Sequence, residues 1–142
     1  MRNLRFLLLV LIFSSSGWAQ NQKAKFPTVV ANISLTGQTG GIPATGLINF
    51  VGQLYRVNVY WDIIGGPPTG CTSSLAPTFN WTDETNQVQQ FQLGPVACSD
   101  TLYLQGTFAV HGLKGTPLTF TVLGNSGQGA QSNVYVTVEQ LQ

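Results

Sequence analysis

The chain has 142 residues, of which six are lysine or arginine, five are aspartate or glutamate and one is histidine, so that 8% are charged and the net charge is +1. Without a basic patch to neutralise phosphates, nucleic acid is excluded as an expected partner. So few ionisable groups leave little from which to build an active site, and we predict that the protein is not an enzyme.

The first 19 residues predict a secretory signal peptide. A positively charged start precedes the apolar run of residues 6–13, and this run is within the roughly 7–15 residues of a signal-peptide core. It is shorter than the roughly 20 apolar residues that a membrane span needs. The small residues Gly17 and Ala19 predict cleavage after Ala19. We therefore expect a secreted or periplasmic protein that has no membrane span after cleavage.

The rest of the chain is interpreted as one domain. Residues 20–26 are polar and short, which is typical of a flexible leader. Residues 27–142 are of ordinary size for a single folded unit.

Apolar and polar residues alternate along most of this domain, as in strands that bury one face. Segments rich in glycine and proline separate eight such stretches, and no window has helical periodicity. Gly46, inside the second stretch, predicts a bulge. In chain order the predicted strands are Thr28–Leu35, Ile42–Val51, Gln53–Ile64, Pro77–Asp83, Gln87–Leu93, Thr101–Val110, a strand carrying Leu118, Phe120 and Val122, and Asn133–Leu141. The pattern predicts an all-β fold, a single antiparallel β-sandwich or jelly roll of about eight strands.

The third stretch, Gln53–Ile64, alternates most clearly. Its predicted inward residues are Tyr55, Val57, Val59, Trp61 and Ile63. Its predicted outward residues are Arg56, Asn58, Tyr60 and Asp62.

Three tyrosines on different predicted strands point outward: Tyr60, Tyr103 and Tyr135. An apolar ring with a polar tip suits stacking on a sugar or on a protein partner. Arg56 and Asn58 share the face of Tyr60 and would add hydrogen bonds. The tyrosines also fit the alternative that they are scattered fillers on exposed sheets. A single patch requires the three strands to lie in one sheet, which alternation alone does not show.

The two cysteines, Cys71 and Cys98, predict a disulfide, because an exported chain meets an oxidising compartment. On an up-and-down path, their two loops would emerge at the same end of the domain. A pair of metal ligands is disfavoured, since the sequence has no Cys-x-x-Cys spacing and its one histidine, His111, is distant.

The remaining ionisable residues give no catalytic prediction. His111 precedes Gly112 at a predicted strand end, where it has no identifiable partner. Asp83 and Glu84 fit a hairpin turn. Asp62 and Asp100 are either solvated turn acids or ligands that share a metal ion with loop carbonyls, and the sequence leaves this open. No cofactor is predicted.

Four segments carry a resemblance, namely Gly52–Tyr60, Asn80–Asp83, Gly115–Phe120 and Tyr135–Leu141. Together they resemble a small all-β module of uncharacterised bacterial secreted and phage-associated proteins, which implies an architecture but no activity. The Leu-Tyr-Arg-Val strand at 54–57 is also similar to a strand of C1q/TNF-like jelly rolls. That similarity implies a homotrimer whose aromatic residues pack about a threefold axis.

The main functional hypothesis is a secreted, non-catalytic binding or assembly module. The alternatives are a carbohydrate-binding module that uses the outward tyrosines, or a degenerate hydrolase. The candidate partners are a protein, a glycan or further copies of the chain.

We expect the exported protein to begin at Gln20, because Ala19 provides the small residue that signal cleavage requires. Intact-mass measurement of the secreted product checks this. As a control, Ala19→Tyr should leave the signal attached, whereas a wild-type product that retains residues 1–19 would contradict the prediction.

Overall fold

A computed structural model describes residues 26–64, 76–94, 103–123 and 131–141 of the chain. These residues form eight strands. The strands are β1 (Thr28–Gln38), β2 (Ile42–Asn49), β3 (Leu54–Ile64), β4 (Ala76–Thr82), β5 (Val88–Gln92), β6 (Tyr103–His111), β7 (Pro117–Leu123) and β8 (Gln131–Gln140). The described ranges contain no helix, and hence none that is long and apolar enough to cross a membrane.

The strands form two four-stranded antiparallel sheets, ordered β1-β8-β3-β6 and β2-β7-β4-β5. Among the described strands, only β4 and β5 are neighbours both in sequence and in a sheet. The other connections cross between the sheets, and the resulting order is that of an eight-stranded jelly roll. The predicted fold class is confirmed, but the up-and-down path assumed for the cysteine loops is wrong.

Several sequence predictions fall outside the described residues. They are the signal peptide, the leader up to residue 25, Asp100, and the disulfide between Cys71 and Cys98. These stay predictions.

Strand β3 is the centre of the first sheet, paired with β8 on one side and with β6 on the other. Its five predicted inward residues are all buried, at 0–5% exposure. A slip of one residue would carry Arg56 and Asp62 into the core, because strand side chains alternate between faces. The alternation therefore fixes the register, and the prediction for β3 is confirmed.

An aromatic cluster joins the two sheets. Phe108, on β6 of the first sheet, lies 4.2 Å from Phe91, 5.1 Å from Phe79 and 6.2 Å from Trp81, measured between ring centroids. Phe79 in turn contacts Phe120 at 5.1 Å. Aromatic side chains bury large areas and favour such offset and edge-to-face geometry. The cluster holds β6 against the second sheet.

Strand β1 extends past its predicted end at Leu35. The Gly37 N–H donates to Asn133 Oδ1 at 2.9 Å, and the pairing with β8 resumes at Gln38 after a register shift. Gly37 has φ of 64°, which a residue without a side chain adopts at little cost. The glycine thus makes a bulge inside the strand. Around Gly46 the β2–β7 ladder also shifts register, which confirms the predicted bulge.

The β4–β5 hairpin is held by Asp83, as the turn prediction requires. Its Oδ1 accepts hydrogen bonds from the backbone N–H of Thr85 and of Gln87, both at 2.9 Å. The pKa of Asp83 is lowered, mainly by the hydrogen bond from Gln87 and then by the Thr85 hydroxyl. Asn86 completes the turn with φ of 63°, a conformation that asparagine tolerates.

Gly112 lets the chain pass over a buried ring. A Cβ at this position would lie 2.1 Å from a ring carbon of Phe50, which is 1% exposed. Two backbone hydrogen bonds connect Phe50 to the turn that follows Gly112. The Phe50 N–H donates to the carbonyl of Thr116, and the Gly115 N–H donates to the carbonyl of Phe50. Its ring packs edge-on against Tyr55 at 5.4 Å. The ring therefore has little freedom to yield.

Gly112→Ala should lower the free energy of unfolding by about 1–3 kcal/mol, the usual cost of overpacking. Gly46→Ala is the matched control, because a Cβ there has no atom within 4 Å; its effect should stay within ~0.5 kcal/mol. Urea denaturation of the two variants checks the difference. Equal stabilities would contradict the close packing of Phe50 on Gly112.

Candidate binding face

The structure brings the three outward tyrosines together on the first sheet. Tyr60 on β3 lies directly opposite Tyr135 on β8, and the ring centroids are 6.1 Å apart. Tyr103 on β6 lies on the other side of Tyr60 at 6.2 Å, with the two rings within 20° of parallel. The exposed fractions are 40% for Tyr60, 63% for Tyr103 and 38% for Tyr135. The rings form one exposed aromatic patch, with Tyr60 in the middle.

Beside the tyrosines, a row of short polar side chains crosses the sheet. Residues directly opposite in a ladder share a face, and the register places one such residue on each of the four strands. We call this row the polar trough; its residues, from β1 to β6, are Asn32, Thr137, Asn58 and Thr107.

Two taller rows flank the polar trough. One contains Tyr135, Tyr60 and Gln105, which oppose one another on β8, β3 and β6. The other contains Glu139 and Arg56, which oppose one another on β8 and β3. A depression of about 490 Å³ lies where the trough meets the Tyr60 row, and it is lined on β8, β3 and β6 by Asn58, Val59, Tyr60, Gln105, Gly106, Thr107, Tyr135 and Thr137. The depression is therefore polar at its base and aromatic along one side.

A hydrogen-bond network orders the trough. Glu139 Oε2 accepts from Arg56 Nε at 2.6 Å and from Asn58 Nδ2 at 3.2 Å. Asn58 Oδ1 accepts from the Thr107 hydroxyl at 2.9 Å. The amide of Asn58 is thus fixed in orientation by partners on both neighbouring strands. Arg56 and Asn58, which the sequence predicts as ligand contacts, are already bonded to Glu139.

The charges of the row that contains Glu139 and Arg56 balance each other. The Arg56 hydrogen bond holds the pKa of Glu139 below its usual value, so this carboxylate is ionised at neutral pH beside its arginine. A general acid requires a pKa shifted in the opposite direction. Glu139 is therefore a structural partner of Arg56 and is unsuited to protonate a leaving group.

Asp62 lies on the same face, opposite Tyr103 and Asn133. Its Oδ1 is buried and has no hydrogen-bond partner among the described residues. Those residues also bring together no group of three histidine, cysteine, aspartate or glutamate side chains that could hold a metal ion. Whether Asp62 and Asp100 share an ion remains untested, since Asp100 is outside the described ranges.

His111 differs from its prediction. No partner is identifiable from the sequence, whereas the structure places the His111 Nδ1 atom 3.2 Å from Glu84 Oε2. The partner comes from the β4–β5 turn of the other sheet, so no local pattern could reveal it. Both side chains are largely exposed, at 41% and 59%. The contact is a surface ion pair whenever the histidine is protonated, a type of pair that contributes little to stability.

Sequence reasoning missed five members of the face: Asn32, Gln105, Thr107, Thr137 and Glu139. Alternation places each of them outward, but the choice among outward residues requires the register between strands that are far apart in sequence. Glu139 had the clearest signal, because it is one of only five acidic residues and lies on a strand with an outward tyrosine.

No protein-family model matches the sequence, and no curated protein is similar to it. Among solved structures, a pentameric capsid protein from metagenomic phage sequences matches 99% of this chain and 82% of its own, with 12% identity and a TM-score of 0.45. The CBM22-1 xylan-binding domain of Paenibacillus barcinonensis Xyn10C matches 82% of this chain and 81% of its own, with 15% identity and a TM-score of 0.41. A structure of infectious bursal disease virus, Gx strain, matches 80% of this chain with 10% identity and a TM-score of 0.42, and the match spans 31% of that chain. The fold assignment therefore rests on this chain's own strand order.

Stability should depend on the ionisation of Glu139. Its folded pKa is lowered, so its stabilising contribution is complete above the unfolded value of ~4.3 and is lost as the pH falls through the folded pKa. Wild type should be more stable than Glu139→Gln at neutral pH, and the gap should shrink below about pH 4. Thermal melts across this range check the sign. Asp83 titrates in both proteins and cancels in the comparison, so a gap independent of pH would contradict the prediction.

Proposed function

We propose that the protein is an exported, non-catalytic module that binds a neutral glycan on the outer face of its first sheet. The observation that carries the proposal is the contiguous patch of Tyr60, Tyr103 and Tyr135 beside the polar trough.

The chemistry of the patch supports a sugar ligand. A tyrosine ring offers an apolar surface with a polar tip, and a sugar ring likewise presents C–H groups on its faces and hydroxyls at its edges. Hydroxyls and amides line the depression and supply hydrogen-bonding groups for a sugar. Aromatic side chains for the ring faces thus lie next to polar groups for the sugar hydroxyls.

The electrostatics of the face support a neutral ligand and the absence of catalysis. Arg56 is paired with Glu139, so the wall of the trough has no unpaired cation for a phosphate or carboxylate. Glycoside hydrolysis uses two carboxyl groups, one of which must be protonated. Glu139 has its pKa shifted downward, which does not suit that role.

Tyr60→Ala should weaken binding to hydroxyethylcellulose, or to another neutral polysaccharide that the wild-type protein binds, by about 1–2 kcal/mol, roughly 5–30-fold. The reason is that Tyr60 lies between the other two rings. Affinity gel electrophoresis measures the change, and the free energy of unfolding should fall by about 0.5–2 kcal/mol, since Tyr60 contacts two neighbouring rings. Tyr60→Phe retains the ring and should retain most of the affinity. Val88→Ala, at an exposed apolar residue on the opposite sheet, should have no effect.

Two results would overturn the proposal. One is that wild type and Tyr60→Ala retard equally on every polysaccharide. The other is that the wild-type protein is a discrete oligomer in solution and Tyr60→Ala converts it to a monomer. That result would identify the face as a contact between copies of the chain.

A further inference from the structure

We infer that the ligand is a linear, uncharged polysaccharide that lies across the strands, seated in the polar trough from Asn32 to Thr107. This inference rests on the proposed function, which already takes the glycan as neutral, and adds its shape and its direction across the sheet.

The shape of the trough gives the direction. Its four residues oppose one another on β1, β8, β3 and β6, so the trough runs perpendicular to the strands. With neighbouring strands about 4.8 Å apart, it extends for roughly 14 Å. Its lowest part is the depression over β8, β3 and β6, and the exposed Asn32 continues it to the sheet edge. A site of this form admits an extended chain that enters at one edge and leaves at the other.

A ligand aligned with the strands would be obstructed. Along β3, the side chains on this face are Arg56, Asn58 and Tyr60 in succession. The short Asn58 therefore lies between two long side chains, one of which is fixed by its bond to Glu139. A ligand aligned with β3 would have to pass over the side chains of Arg56 and Tyr60, and it would lose contact with Asn58 between them.

The base of the trough presents hydrogen-bond acceptors in a fixed arrangement. The Thr107 hydroxyl donates its proton to Asn58 Oδ1, and its oxygen lone pairs remain available to accept from a ligand hydroxyl. Asn58 Nδ2 is directed to Glu139. Asn58 is therefore a positioning residue, which orients the hydroxyl that meets the sugar. Because this arrangement exists before the ligand arrives, binding costs little ordering of these side chains.

The charge of the face selects an uncharged chain. Its outward residues on β3 and β8 include one arginine and two carboxylates, Asp62 and Glu139, and the arginine is paired. An anionic polymer would bring its carboxylates close to Glu139 without gaining a free cation. Like charges brought together across an interface are unfavourable.

Matched polymers and matched variants test the inference. Hydroxyethylcellulose and carboxymethylcellulose share a backbone and differ in charge. In affinity gel electrophoresis, hydroxyethylcellulose should slow the migration of the wild-type protein, and the affinity for carboxymethylcellulose should be at least tenfold lower. With neutral oligosaccharides from disaccharide to hexasaccharide, the calorimetric affinity should rise until the trough is filled. Asn32→Trp and Thr107→Trp, which obstruct the two ends, should each weaken binding at least fivefold. Leu54→Trp obstructs only a path along β3 and should leave binding unchanged.

The outcomes separate the two proposals. If Tyr60→Ala weakens binding but the end variants do not, or if affinity is already maximal with a disaccharide, the transverse chain is wrong and the binding face stands. If the carboxymethyl polymer binds as well as the neutral one, the charge argument is wrong. If wild type binds none of hydroxyethylcellulose, galactomannan, arabinoxylan and pullulan, both proposals fail. Circular dichroism establishes that each variant is folded, and the oligosaccharide series on wild type tests the length of the site without any substitution.

Discussion

The register of β3 between β8 and β6 is the constraint on which both faces of the first sheet depend. Tyr55, Val57, Val59, Trp61 and Ile63 form the centre of the core only if the residues between them point outward. Each fully buried large apolar side chain contributes about 1.5–3 kcal/mol, so the five together oppose any slip of the strand. The same energy that fixes the core therefore places Arg56, Asn58 and Tyr60 against their partners on β8 and β6. The outward residues are therefore positioned by the register that the core packing sets.

The candidate binding face adds a second pattern to this alternation, one of side-chain size. On β3 and β8, the long residues of the Tyr60 row and of the Arg56 row flank the short residues of the trough. On β6 the inner and outer faces are directly linked, because Thr107 in the trough precedes Phe108, which packs among Phe79, Phe91 and Trp81. The ring contacts of Phe108 therefore anchor the backbone next to Thr107 at this edge of the sheet.

Alternation in the sequence predicts most of the fold, because period-two patterning is a local property. The eight strands, the inward residues of β3, the bulge at Gly46 and the turn at Asp83 are all of this kind. The end of β1 was wrong because its continuation past Gly37 depends on Asn133, a residue of a distant strand. The outward direction of the tyrosines followed from the sequence, but their proximity did not, since it requires knowing that β8 lies beside β3. For the same reason Glu139 and the His111–Glu84 pair were not found.

The strand order has a consequence for how the protein reaches its native state. Strand β8, the last of the described strands, lies between β1 and β3, so the first sheet remains divided until β8 is in place. Contacts between segments so far apart in sequence form slowly, because the loop entropy must be lost before the contacts form. In a chain that emerges N-terminus first, β1 would lack its partner in this sheet during this interval, and the β3–β6 pair would have an unpaired edge on β3. The tyrosine patch would be complete only once β8 is in place, because Tyr135 lies on that strand, so that any binding that requires all three rings would report the completed sheet rather than a partly folded one.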